Sequence, residues 1–244
     1  MIEISGYSKN ENLVWISADS VKLPAHLDVP ENAQGVVLFA SGSGSSRDSY
    51  RNRFIAQGLH QSKLATLLID LLTPDEEAID LRTRHHLRFD IGLLAPRVVS
   101  ATDWLLQNPT TRNLKIGYFG TNTGSATVLM AATEHPNGIC AIVSRGGRPE
   151  LAGSALSRVK APTLLIVAGN DIPILQVNQE AFLHLHTTKQ LEIISGATHL
   201  FEEQGALEEV ARLASQWFNR YLVPMTQQDS SLSNGNEQRA IGCS

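Results

Sequence analysis

The chain has 244 residues, 42% hydrophobic and 18% charged, which is the balance of a soluble globular protein and the length of one large domain or two small ones. A formal net charge of −4, with neither basic blocks nor a basic helix, argues against nucleic acid or an anionic membrane as partner. No stretch approaches the roughly 18 apolar residues of a membrane span, and the opening MIEISGYSKNENLVW lacks the basic and apolar regions of a secretory signal.

In chain order, short apolar runs predict strands at 13–17, 23–28, 35–40, 65–69, 114–119, 138–143, 163–168 and 190–194. Segments with helical period lie between or after them at 50–60, 87–107, 125–134, 176–185 and 203–221. Most of the later strands are apolar without alternation, as expected where both faces of a parallel sheet are covered. The two leading strands are more polar and are expected to pair antiparallel at one edge. This order predicts an α/β fold, a mostly parallel doubly wound sheet of about eight strands with helices on both faces. It fills a single domain over 1–223, and 224–244 is polar enough to read as a flexible tail. The two cysteines, Cys140 in an apolar strand and Cys243 beside the C-terminus, form no disulfide framework; a reducing, cytoplasmic setting is expected.

Residues 117–126 read GYFGTNTGSA: an apolar strand, a turn bounded by Gly120 and Gly124, then a helix-forming run. This is the shape of a nucleophile elbow, in which the residue between the glycines sits on a strained turn and small neighbours avoid clashes with strand and helix. The residue in that place is Asn122, whose amide is no nucleophile. Asp171, in AGNDIPI after the strand TLLIVA, and His199, in SGATHLFEE after the next strand, follow in the order nucleophile, acid, base. All three fall at carboxyl ends of strands, where sites of open parallel sheets form. Asp171 alone would read as a turn former and His199 alone as a residue near a helix start; their order and placement favour the site.

With these residues in view, the chain resembles the dienelactone hydrolase-like α/β hydrolases, most nearly the branch found alongside a phosphoribosyltransferase domain. The resemblance rests on FASGSGSSRDSYRNR (39–53), DLLTPDEEAIDLRTRHHLRFDIGLLA (70–95), IGYFGTNTGSA (116–126), SRGGRPELAG (144–153), PTLLIVAGNDIPI (162–174) and GATHLFEEQGALEEVARLA (196–214). It implies the α/β-hydrolase fold, carboxylic ester or lactone hydrolysis and no cofactor. By the same resemblance Asp171 is the triad acid and His199 the base. The backbone N–H of Thr123 is one oxyanion donor, and Gly42 or Ser43 supplies the other. Two positions depart from the family pattern: Asn122 stands where Ser is expected, and Ser41 where His commonly precedes the glycine loop. The hydroxyls of Thr121 and Thr123 are expected to point away from the substrate.

Other features carry less. SGSGSSR (41–47) has the first two glycines of a dinucleotide fingerprint but Arg47 in place of the third, so a phosphate cradle fails there, with Asp70 as its only support. Arg47 remains a candidate for an anionic group. The charged segment DEEAIDLRTRHHLR (75–88) reads as a solvated connection, or as a lid over the pocket. Arg145 and Arg148, at the end of a strand, either recognise a substrate carboxylate or pair with Glu150 and its neighbours. The pairs His85-His86 and His184-x-His186 match no metal-ligand spacing, and no metal is expected. Two functions stay open. One is a hydrolase scaffold with weak or lost serine chemistry, working if at all through His199 and Asp171. The other is a non-catalytic pocket for a small carbonyl or carboxylate ligand. The expected partner is a small ester, lactone or carboxylate, and the sequence gives no oligomeric state.

Overall fold

The computed structural model of the chain describes residues 13–41, 47–83 and 86–224. Among these residues, eight strands form one sheet in the spatial order β1-β2-β4-β3-β5-β6-β7-β8. The strands are β1 (Leu13–Ala18), β2 (Val21–Asp28), β3 (Gly35–Ser41), β4 (Leu64–Ile69), β5 (Lys115–Thr121), β6 (Ile139–Arg145), β7 (Thr163–Ala168) and β8 (Lys189–Ile194). The two leading strands are antiparallel and sit at the edge, and β2 also meets β4 antiparallel. Every later pairing is parallel. From β3 the chain goes to one side for β4 and then crosses to the other for β5, so the winding reverses there. The carboxyl ends of β3 and β5, at Ser41 and Thr121, therefore flank the crevice where ligands of such sheets sit.

The side-chain period of two sends alternate residues of each strand to opposite faces. In β3, Val36, Leu38 and Ala40 join one apolar core while Val37 and Phe39 join the other. Helices α3 (Ile91–Gln107), α4 (Thr123–Glu134) and α5 (Ile172–His184) contribute to the first core. Helices α1 (Tyr50–Gln61) and α6 (Ala206–Leu222) cover the second. Phe39 of β3 stacks on Phe119 of β5 at 4.6 Å within it. This is the α/β architecture expected from the alternating pattern.

The segment 75–88 is a correction. Its described residues are mostly exposed, as in a solvated connection, but it begins with helix α2 (Pro74–Arg82), started by a capping box between Thr73 and Glu76 with Pro74 in the first turn. Its acids do not merely pair locally. Glu76 receives both terminal nitrogens of Arg97 on α3, at 2.7 and 2.6 Å. Asp80 is fully buried and takes the backbone N–H of Leu87 and Arg88 and the Arg88 Nε, the last at 2.5 Å. A helix that buries a carboxylate and leaves Ile79 and Leu81 exposed carries no apolar stripe, so hydrophobic periodicity had nothing to detect. A second element outside the expected ones is the 3-10 segment Pro149–Arg158, which is broken by a non-helical Gly153. Helix α5 also begins at Ile172 rather than at residue 176, because Pro173 in its first turn has a φ already suited to a helix.

Candidate functional site

Strand β5 runs straight into α4 through Asn122, which adopts φ 51° and ψ −128°. A side chain in this region carries strain of about 1–3 kcal/mol, and Asn is among the residues that tolerate positive φ best. The flanking glycines are required by contact. A Cβ on Gly124 would stand 2.3 Å from the carbonyl oxygen of Ala40, and one on Gly120 would stand 2.7 Å from the Cα of Ser125. The carbonyl of Asn122 accepts from the N–H of Ser125 at 3.1 Å and of Arg148 at 3.0 Å, so the turn is held from both sides. Beneath it the buried Ser125 and Ser144 hydroxyls bond to each other at 2.8 Å. The apex is thus a rigid platform that lifts side chain 122 above the sheet end.

Asp171 follows β7 and caps α5, and His199 lies in the loop between β8 and α6. Backbone bonds from Gly169 to Ile194 and from Asn170 to Ala197, both 2.9 Å, bring those two loops together. His199 Nδ1 meets Asp171 Oδ2 at 2.6 Å, and its Nε2 meets the Asn122 side-chain oxygen Oδ1 at 3.0 Å. The three residues singled out from the sequence form one continuous line. With Nδ1–H donated to Asp171, Nε2 of a neutral ring is an acceptor, and the amide completes the line by turning its Nδ2–H toward it. On an imidazolium, Nε2–H donates to Oδ1 instead. Either way the line ends in an amide, with no hydroxyl or thiol to deprotonate.

A cavity of about 400 Å³ opens above this line. Its walls include Ser41, Thr121, Asn122, Arg145 and His199 at the sheet end, and Asp48 to Asn52 at the start of α1. Both threonine hydroxyls near the apex are engaged elsewhere: Thr121 Oγ1 donates to Ser41 Oγ at 3.1 Å, and Thr123 Oγ1 to the carbonyl of Arg88 at 2.9 Å. As the first residue of α4, Thr123 has no helical acceptor for its backbone N–H, which leaves that group at the turn. The other expected oxyanion donors, Gly42 and Ser43, lie outside the described residues, as does His85.

The four arginines near the site have different fates. Arg47 is not on the cavity wall; its Nε stands 2.9 Å from Asp70 and its N–H bonds the same carboxylate at 3.2 Å. Asp70, otherwise buried, is pushed above the ordinary carboxylate range by that burial, with Arg47 opposing. Arg148 pairs with Glu150. Arg145 is 7% exposed, lines the cavity and forms no ion pair among the described residues. Arg51, which sequence reasoning passed over, also lines the cavity and shares its charge with Glu202 at 3.1 Å. The signal for it was available: it lies in the first turn of a helix capped by Ser49, directly after the glycine-rich stretch. Among the described residues, no three His, Cys, Asp or Glu side chains cluster to hold a metal ion, and no helix is long and apolar enough to cross a membrane.

The sheet order, the strained turn and the Asp–His–Asn line place the molecule in the α/β-hydrolase class. More narrowly, the chain belongs to the dienelactone hydrolase family, whose pattern matches residues 24–227. The crystal structure of a dienelactone hydrolase from Anabaena variabilis is 61% identical, with a TM-score of 0.83 over 86% of this chain and 97% of that one. Proteins of two Mycobacterium tuberculosis strains that bear a phosphoribosyl transferase name are 50% identical over 209 residues. That alignment covers 86% of this chain and 46% of theirs, so the chain spans about half the length of those relatives. An alpha-beta serine hydrolase homologue from Coxiella burnetii shares the fold alone, at 13% identity and a TM-score of 0.69, covering 86% of this chain and 99% of that one.

Proposed function

We infer that this chain is a carboxylic ester or lactone hydrolase scaffold in which Asn122 occupies the nucleophile position, so that serine-type turnover is weak or lost. The observation that supports this most directly is the line from Asp171 through His199 to the Asn122 amide. In a working triad the ring takes a proton from a hydroxyl while the carboxylate fixes its tautomer. Here the base and its orienting carboxylate stand in the same relation, and the group they would activate has no lone pair of useful basicity. Covalent acyl transfer at residue 122 has no route. The remaining chemistry is general-base activation of a water by His199 Nε2 beside the Thr123 N–H. Template enzymes stripped of one triad member keep about 10³–10⁴-fold acceleration over water from such remnants. The ligand is a small ester, lactone or carboxylate of a size the cavity admits.

The test is hydrolysis of p-nitrophenyl acetate by the chain beside its Asn122→Ser and His199→Ala variants. The expected result is slow or no turnover by the parent, a gain of about 10²-fold or more in Asn122→Ser, and loss of that gain when His199→Ala is added. A parent that already turns over rapidly, and keeps its rate in His199→Ala, overturns the reading.

A further inference from the structure

Arg145 is unlike every other charged group around the cavity. It ends β6, beside Thr121 of β5 and Ile166 of β7, so its backbone is fixed by two parallel neighbours. Its side chain is buried, and neither Nε nor Nη1 has a hydrogen-bond partner among the described residues. Its guanidinium lies over the ring of Phe201 at 5.6 Å, which attracts the cation but accepts no hydrogen bond in its plane. A buried cation with no counter-charge is unfavourable, and a second cation, Arg51, adds to the cost. Burial first, and Arg51 second, lower the Arg145 pKa to about 10.

The same cavity is also lined by the start of α1. Ser49 caps that helix, its Oγ taking the N–H of Asn52 at 3.5 Å. The N–H groups of Tyr50 and Arg51, in the first turn, have no acceptor within the helix. A helix N-terminus carries partial positive charge, and with unsatisfied N–H groups it suits an anion. Asp48 lies on this wall too, but its carboxylate is occupied by Arg53, with Arg47 3.9 Å away. Donor-bearing groups from two elements therefore line one space, Arg145 at the sheet end and Arg51 with the first turn of α1.

We propose that the cavity takes its ligand by a phosphate group, held between Arg145 on one wall and Arg51 with the first-turn N–H groups of α1 on the other. A planar carboxylate has two oxygens and is satisfied by one guanidinium fork. A phosphate ester presents three terminal oxygens in different directions, which matches donors on two walls. The rest of the ligand then lies over Asn122 and His199. The assignment rests on the reading of this cavity as the family's ligand site, and it narrows the substrate class to phosphorylated small molecules.

The experiment is a calorimetric titration of the whole chain with inorganic phosphate, and separately with acetate and benzoate, at constant ionic strength. The same titrations are made on Arg145→Met, Arg145→Lys and, as a surface control, Arg212→Met. Phosphate is expected to bind, to weaken about ten-fold or more in Arg145→Met, and to be unchanged in Arg212→Met. Equal phosphate affinity in the parent and Arg145→Met, or binding of the carboxylates without phosphate, overturns the proposal. Should Arg145→Met not fold, phosphate must compete with p-nitrophenyl acetate turnover by Asn122→Ser; active but phosphate-insensitive Asn122→Ser overturns it equally. Phosphate binding through Arg145 in a chain whose Asn122→Ser variant is inert would instead refute the hydrolase reading and leave the phosphate site standing.

Discussion

Arg97 and Arg145 are both arginines with almost no solvent exposure, and their surroundings are opposite. Arg97, on α3, is gripped by both oxygens of Glu76 and by the carbonyl of Leu71 at 2.6 Å. Arg145, at the end of β6, has an aromatic ring and a cavity. The first arrangement fastens α2 to the body of the fold, and all the donors it uses are answered from within the chain. The second leaves donors unanswered in a side chain that lines a cavity. Charge buried for architecture is matched inside the molecule, whereas charge buried for recognition waits for a match from outside.

The comparison breaks most visibly if the partner is taken from Arg97. Glu76→Ala leaves a buried guanidinium with only Leu71 and removes the capping box of α2, and a loss of about 3 kcal/mol is expected in urea unfolding. Arg145→Met should move the other way, raising stability by about 1 kcal/mol, since relief of the buried cation outweighs the lost contact with the Phe201 ring. A measured loss in both variants would mean that Arg145 has a structural partner after all. A third test uses pH. The hydrogen bonds from Arg97, opposed by burial and helped by the Thr73 N–H, hold the Glu76 carboxyl below its ordinary value of 4.5. A lowered folded value means the contribution is complete above that ordinary value and is lost as pH falls through the folded one. Acid unfolding of Glu76→Gln should therefore show a shallower decline below pH 4.5 than the parent. The smallest effect is expected from Arg148→Ala, which removes a pair with both side chains partly in water; the change should stay within about 0.5 kcal/mol.

What was legible in the sequence follows from what each signal measures. Strands β3 to β7 are buried on both faces, so their unbroken apolar runs announced a parallel sheet, and the polar hairpin of β1 and β2 announced its edge. That Asp171 and His199 meet was legible because chain order and strand ends are properties of sequence. Helix α2 was not, since what it buries is the carboxylate of Asp80, and polar burial has no periodic trace. The fate of the arginines was equally hidden. Arg145 and Arg148 are three positions apart in one motif, yet register locks the first among strands while the second swings out to Glu150. Arg47, a candidate for the ligand, is drawn instead to Asp70, a residue brought near only by the neighbouring strand.

The turn at residue 122 also bears on descent. Its positive φ and the glycines on either side fix the backbone there, and with it the direction in which the Cβ of residue 122 leaves the chain. The genetic code separates Asn from the AGU and AGC codons of Ser by a single transition at the middle base. A lineage carrying this turn can therefore exchange an amide for a hydroxyl, or the reverse, in one mutational step without rebuilding the backbone around it. Amide and hydroxyl at this apex are neighbours in genotype as well as in geometry, on a turn whose close contacts require Gly120 and Gly124.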